Sequence, residues 1–135
     1  MKILALDLGD AWVGSALSDE LGITARPYQT VKAKELIGFI TNVISVEPIS
    51  IIVIGYPKTM GGKDSEQTKK VVAQKESLEQ QFPQITWALW DERLSSRQAA
   101  GIKKTKTKED KIASHSIAAA VILTGYLMFR SNTMN

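Results

Sequence analysis

The chain has 135 residues, which suffices for one ordinary domain and is too short for two. Its hydrophobic content of 44% fits a globular core, its net charge is +3, and the absence of cysteine excludes disulfides, thiolate metal sites and thiol nucleophiles. The N-terminus lacks a signal-peptide pattern, and the most apolar stretch, Ser116 to Phe129, is too short to span a bilayer. We therefore expect one domain over residues 1–135, located in the cytoplasm and without a membrane partner.

The first third of the chain predicts an antiparallel meander of three strands. Lys2 to Leu8 is almost wholly apolar, as in a strand buried on both faces, and Val13 to Ser18 follows after turn residues. Gly14, inside the second strand, indicates close approach by a ligand or by another backbone. The third strand, Thr24 to Val31, contains Pro27, which lacks a backbone donor and therefore favours a sheet edge.

The remainder alternates helices with two apolar strands. Ile49 to Ile54 and Ile85 to Trp90 are continuous apolar runs that predict buried strands. A strand–helix–strand unit requires parallel strands joined by a right-handed crossover, so the sheet is expected to be mixed and the fold class α/β. The predicted helices are Lys34 to Val46, a second from a cap at Asp64 or Ser65 to about Gln81, a short third from Ser95 or Ser96 to near Gly101, and a last from about Glu109 to Phe129.

Polar residues follow the apolar runs of three strands. Asp7 lies near the end of the first strand, Gly55 closes the fourth, and Asp91 and Glu92 end the fifth. Sites in open α/β sheets form at the carboxyl ends of parallel strands, so Asp7 and Glu92 converge if these strands are neighbours. Carboxylates without a cysteine or histidine cluster suit Mg²⁺ or Mn²⁺. The alternative is a turn cap at Asp7 and a solvated charged turn after the fifth strand.

Basic residues and glycines provide candidate contacts to a polyanion. Lys58 and Arg93 are candidates for neutralising phosphates, and Gly9, Gly55 and Gly61 would let the backbone approach a substrate. The alternative is that the basic residues are simply solvated, which is the more common outcome, and that the glycines serve plain turn chemistry. The segment 103–111 is either a clamp for a nucleic-acid strand or a solvated loop, and its lysines are Lys103, Lys104, Lys106, Lys108 and Lys111.

Four segments resemble the motifs of the YqgF family, in the family's order and over nearly the whole chain. The first runs from Asp7 to Asp19, and the second is Gly55-Tyr-Pro57 followed by Gly61. The third, and most specific, is Asp91-Glu92-Arg93-Leu94-Ser95-Ser96, and the last is a helix containing Ala118-Ala119.

The resemblance implies an RNase H-like fold. Such a fold has a five-stranded mixed sheet flanked by helices, with strands 1–3 in a meander and strands 4 and 5 parallel to strand 1. It also implies a cytoplasmic hydrolase: a nuclease that uses divalent metal and is proposed to process the 5′ end of pre-16S rRNA in ribosome biogenesis. The alternative activity is resolution of Holliday junctions, so the partner is structured RNA or branched DNA. Asp7 and Glu92 match the family's catalytic acids.

Two residues depart from the family pattern. Trp12 stands where the family usually has a basic residue, so it offers an aromatic face that either stacks on a base or packs at a strand edge. His115 stands where the family has a third acid, on an apolar stripe of the last helix, and is either a ligand or a core residue. The candidate catalytic set is therefore Asp7, Glu92 and His115, and the candidate metal ligands are the same residues with Asp91.

Two other classes of protein compete with the nuclease interpretation. A non-catalytic nucleic-acid-binding module is one, because loss of an anionic ligand weakens a site for a hard cation. An actin-like ATPase is the other, because an Asp-x-Gly hairpin opens that fold too. The ATPase needs two such domains around its nucleotide, and 135 residues supply one.

Overall fold

The computed structural model describes residues 1–56, 66–91 and 108–134, with side chains at 1–56, 68–90 and 114–131. Its five strands are β1 (Lys2–Leu8), β2 (Trp12–Ser18), β3 (Ala25–Lys32), β4 (Ile49–Tyr56) and β5 (Thr86–Asp91). The short helix predicted near residues 95–101 lies outside the described residues.

The five strands form one mixed sheet in the order β3-β2-β1-β4-β5. β1 to β3 are an antiparallel meander, whereas β4 runs parallel to β1 and β5 runs parallel to β4. The predicted mixed sheet is therefore confirmed, and the strand that contains Pro27 lies at its edge, where a missing backbone donor costs least. β4 extends two residues beyond the predicted Ile54, because Gly55 and Tyr56 still pair with β5.

The helices agree with the predicted ones except at their ends. A 3-10 turn, Ala33–Glu35, precedes α1 (Leu36–Val46), so the predicted first helical turn is not α-helical. α2 is Glu66–Gln81, and α3 is Lys108–Met134. α3 continues five residues beyond the predicted end at Phe129, since no proline or glycine follows that residue to stop it. No helix within the described ranges is long and apolar enough to cross a membrane.

The sheet has an apolar layer on each face, as strand alternation requires. One face buries Leu4, Leu6, Ile52 and Ile54 in a cluster that also contains side chains of α1 and α2. The opposite face, called here the α3 face, buries a second cluster beneath α3, and its members include Ile3, Ala5, Ala16, Val53, Ala119, Ile122 and Leu123. Burying each large aliphatic side chain stabilises the fold by roughly 1.5–3 kcal/mol.

Gly14 determines how closely α3 approaches the sheet. A Cβ atom placed on Gly14 would overlap the carbonyl group of His115 and lie 2.6 Å from the backbone nitrogen of Ser116. The backbone of α3 therefore rests directly on the backbone of β2 at this point. Of the two interpretations of Gly14 open from the sequence, the structure has close approach by another backbone.

Candidate active site

Asp7 and His115 face each other at the carboxyl end of β1. The Oδ2 atom of Asp7 lies 3.7 Å from the Nδ1 atom of His115, and the side chains are 21% and 33% exposed. Side chains alternate between the two faces along a strand, so Asp7 lies on the same face as Ile3 and Ala5. These two residues are buried on the α3 face. His115 reaches Asp7 from α3, one helical turn before the buried Ala119. A carboxylate and an imidazole therefore meet at the exposed rim of the α3 core.

Glycines occupy the positions beside Asp7 on both neighbouring strands. Asp7 pairs with Gly14 on β2 and with Gly55 on β4. At the β1–β2 turn, the Gly9 backbone nitrogen donates to the Trp12 carbonyl oxygen at 3.0 Å. A Cβ on Gly9 would lie 2.6 Å from that oxygen and 3.6 Å from the Cε1 atom of His115. Gly9 thus permits the tight turn, whereas the imidazole ring would meet a Cβ at this position only at ordinary van der Waals distance.

The end of β5 lies level with Asp7 across the sheet. Gly55 pairs with Asp7 on one side and with Trp90 on the other, and Tyr56 pairs with Asp91. Because neighbouring strands are about 4.8 Å apart, the backbones of Asp7 and Trp90 are roughly 10 Å apart. The third motif therefore begins at the same edge of the sheet as Asp7, as the sequence predicts for the carboxyl ends of parallel strands.

Several predicted site residues cannot be placed. Convergence of Asp7 with Glu92 stays a prediction, and so does a metal role for the side chain of Asp91. Lys108 is the first residue of α3, at the end of the lysine-rich segment. Within the residues that the structure describes, no three histidine, aspartate or glutamate side chains are grouped as a metal site. The predicted residues outside the described ranges are Lys58, Gly61, Glu92, Arg93, Lys103, Lys104 and Lys106.

The structure adds residues that the sequence interpretation missed. Trp12 lines an open depression of about 320 Å³ together with Lys32 and Lys34. Lys32 is the cross-strand partner of Trp12. The predicted meander already placed these two strands side by side, and only their register was needed to identify the pair. Asp10 also lines the depression, and its Oδ1 atom lies 3.1 Å from Nζ of Lys70 on α2.

The strand order and the carboxylate on the central strand define an RNase H-like protein. The structure of Thermus thermophilus RuvC in complex with a Holliday junction substrate is similar, with a TM-score of 0.55 and 19% identity. The similarity covers 98% of this chain and 97% of that one. A second structure of Thermus thermophilus RuvC gives a TM-score of 0.54 at the same identity. At this level of identity, the likeness concerns the fold.

The sequence comparisons identify the family. A family model described as "RuvX: Holliday junction resolvase" matches residues 1–128. A relative from Carboxydothermus hydrogenoformans is 37% identical over 139 residues, covering 97% of this chain and 99% of the relative. Another, from Rubrobacter xylanophilus, is 32% identical over 127 residues, covering 93% and 91%. Both carry the name "Putative pre-16S rRNA nuclease". The chain therefore belongs to the YqgF (RuvX) family of nucleases, hydrolases that act on phosphodiester bonds, as its motifs predict.

Proposed function

We propose that this protein is a metal-dependent nuclease that processes the 5′ end of pre-16S rRNA in the cytoplasm, with residues 1–135 acting as one nuclease domain. The observation that carries the proposal is the partly exposed Asp7 carboxylate at the end of the central strand, 3.7 Å from His115. The names of the curated relatives support the RNA substrate.

The exposure of His115 supports a role in the site over a role in the core. Its side chain is 33% exposed, whereas Ala119, Ile122 and Leu123 further along α3 are almost fully buried. A distance of 3.7 Å exceeds a hydrogen bond, so neither group satisfies the other. Within the part of the chain that the structure describes, the carboxylate and the imidazole both remain available to a third group that enters between them.

The donor set fits a divalent metal, and we propose Mg²⁺ or Mn²⁺. Asp7 would supply a carboxylate oxygen, His115 an imidazole nitrogen, and Glu92 a second carboxylate. Mg²⁺ strongly prefers oxygen ligands, whereas imidazole is acceptable to softer metals, so this mixed set favours Mn²⁺. When bound, such an ion stabilises charge on the attacking and leaving oxygens of a phosphodiester.

The chain's own residues hold the reacting centre in place. Asp7 on β1 lies between Gly14 on β2 and Gly55 on β4. Because neither glycine has a side chain, the carboxylate has no bulky partner directly opposite it on either strand. The contact between Gly14 and the α3 backbone fixes the height of His115 above the sheet. Glu92 is proposed as the second acid because it matches the family's catalytic acid in the third motif, and because β5 ends at Asp91, at the same end of the sheet as Asp7.

Resolution of Holliday junctions is the second candidate function. The description of the matching family model favours it, and both activities would use the same acids. Cleavage assays on an RNA that spans the pre-16S 5′ end and on a four-way DNA junction, each with Mg²⁺ or Mn²⁺, separate the two. We expect cleavage of the RNA in Mn²⁺ and none by Asp7→Asn, which keeps the size of the side chain and removes its charge.

Two results would change the assignment. Cleavage of the junction alone would assign the resolvase activity. Binding of either nucleic acid without cleavage in both metals would instead indicate the non-catalytic binding module, a result that replacement of the family's third acid by His115 makes chemically reasonable.

A further inference from the structure

An open depression lies beside the candidate active site. The β1–β2 turn, the start of β2, the end of β3 and the 3-10 turn enclose about 320 Å³, near the lower end of the range for small-ligand sites. The Ala33 backbone nitrogen donates to the Ala11 carbonyl oxygen at 2.9 Å, which ties the two walls together. The lining residues are Asp10, Ala11, Trp12, Lys32, Ala33 and Lys34.

The lining combines an aromatic face with positive charge. Trp12 is partly buried, so its ring is held in place and still reaches solvent, while Lys32 and Lys34 are exposed. The acid among the lining residues, Asp10, lies 3.1 Å from Nζ of Lys70, which offsets its charge. An indole face next to two lysines is the combination that binds a base by stacking and a phosphate by charge.

The strand register places this depression next to Asp7. Asp7 pairs with Gly14, and Trp12 lies two residues from Gly14 on β2, hence on the α3 face. Diagonal neighbours of this kind are about 7–8 Å apart in an antiparallel pair. Lys32, directly opposite Trp12 on β3, shares the same face. A nucleic-acid strand whose phosphodiester lies at Asp7 would therefore present an adjacent nucleotide to Trp12.

We propose that this depression is a subsite for one unpaired nucleotide that flanks the phosphodiester at Asp7. Trp12 stacks on the base, and Lys32 and Lys34 neutralise the neighbouring phosphates. A base inside a duplex is already stacked on both faces, so the subsite selects single strands and the unpaired or frayed nucleotides at an end or at a junction. The subsite rests on the proposed nuclease function for its biological use, but its binding chemistry is independent of cleavage.

The test measures binding in an Asp7→Asn background, so that cleavage does not interfere. The probes are a six-nucleotide single strand, as RNA and as DNA, and a blunt duplex of the same sequence. We expect Trp12→Ala to raise the Kd for the single strand about 5- to 100-fold, and Trp12→Phe to retain most of the affinity. Quenching of the Trp12 fluorescence by the single strand provides a direct signal that Trp12→Phe removes.

Salt dependence separates the lysines from the indole. The double variant Lys32→Ala and Lys34→Ala should make the fall of log K with log salt less steep by about 1.4. This corresponds to about 0.7 for each phosphate of a single strand that is no longer neutralised. Trp12→Ala should leave that slope unchanged. Arg26→Ala is the matched control, because it removes an exposed cation from the other end of β3.

The outcomes distinguish the subsite from the nuclease proposal. The subsite is refuted if folded Trp12→Ala binds the single strand as tightly as its parent, or if single strand and duplex lose affinity equally. It stands, while the nuclease proposal fails, if Trp12→Ala weakens binding and the wild-type protein cleaves no substrate in either metal. Circular dichroism and the Tm of Trp12→Ala and Trp12→Phe verify that both variants fold.

Discussion

Gly14 on β2 lies directly beneath the carbonyl group of His115, and a methyl group does not fit between them. This contact sets how closely α3 packs on the meander, and the packing in turn sets the position of the His115 imidazole. The separation between His115 and Asp7 therefore depends on a residue that carries no functional group.

Gly14→Ala should destabilise the fold and displace His115. A Cβ at Gly14 would meet the α3 backbone, which cannot rotate away as a flexible side chain can, so we expect a loss of about 1–3 kcal/mol in the free energy of unfolding. Gly38→Ala is the matched control: no atom lies within 4 Å of a Cβ at Gly38 on α1, and a gain of about 0.5–1 kcal/mol is expected. Chemical denaturation measures both, and equal effects would contradict the contact.

His115→Asp should shift metal use toward Mg²⁺. It replaces a neutral nitrogen ligand with a charged oxygen ligand at the same position beside Asp7, and the harder ligand suits the harder ion. The ratio of cleavage rates in Mg²⁺ and Mn²⁺ is the readout, with His115→Ala as the variant that supplies no ligand. If the wild type uses both metals equally and His115→Ala cleaves normally, His115 has no part in the site.

Asp19 should make the β2–β3 turn sensitive to acid. Its carboxylate accepts hydrogen bonds from the backbone nitrogens of Thr24 and Ile23, and these bonds hold the pKa of Asp19 below its ordinary value. A depressed pKa means that the stabilisation is fully present above the unfolded-state pKa, about 3.9, and is lost as pH falls through the folded-state value. Asp19→Ala should therefore have a lower Tm than the wild type at pH 7, and the difference should shrink toward pH 2. Glu20→Ala controls for the loss of one acid.

The lysines before α3 should contribute to nucleic-acid affinity through charge alone. Replacing Lys103, Lys104 and Lys106 with alanine should weaken binding of RNA or DNA and reduce its salt dependence by about 0.7–0.9 for each phosphate that these lysines neutralise. The measurement is the Kd of the Asp7→Asn protein over a range of salt concentrations. Lys69→Ala, on the exposed surface of α2, is the control. If the salt dependence of Kd is unchanged, these lysines do not contact phosphates and only the solvated-loop interpretation remains.

Much of the fold could be predicted because its signals are local. The apolar run from Lys2 to Leu8 and the β-branched run that starts at Ile49 are strands in the structure, since their periodicity reflects burial on both faces. Element ends were less predictable. Gly55 looks like a strand terminator in isolation but remains paired on both sides, because neighbouring strands decide where a ladder stops.

The candidate site was predictable only in part. The motifs indicated Asp7 and His115, but the 3.7 Å between them depends on how far α3 descends onto β2, which is a tertiary property. Lys32 and Lys34 carry no motif, and only the β2–β3 register brings them to Trp12. Residues that meet only through strand pairing therefore carry no sign of their contact in any single sequence motif.

The place of α3 after all five strands in chain order has a consequence for biosynthesis. Asp7 is made before the rest of the sheet, whereas its neighbour His115 emerges from the ribosome after all five strands. Until then, Ile3, Ala5 and Val53 have no helix over them, so the α3 face of the sheet stays uncovered. A nascent chain should accordingly expose an apolar surface that chaperones can bind, and Asp7 and His115 should come together only once α3 has packed on the sheet.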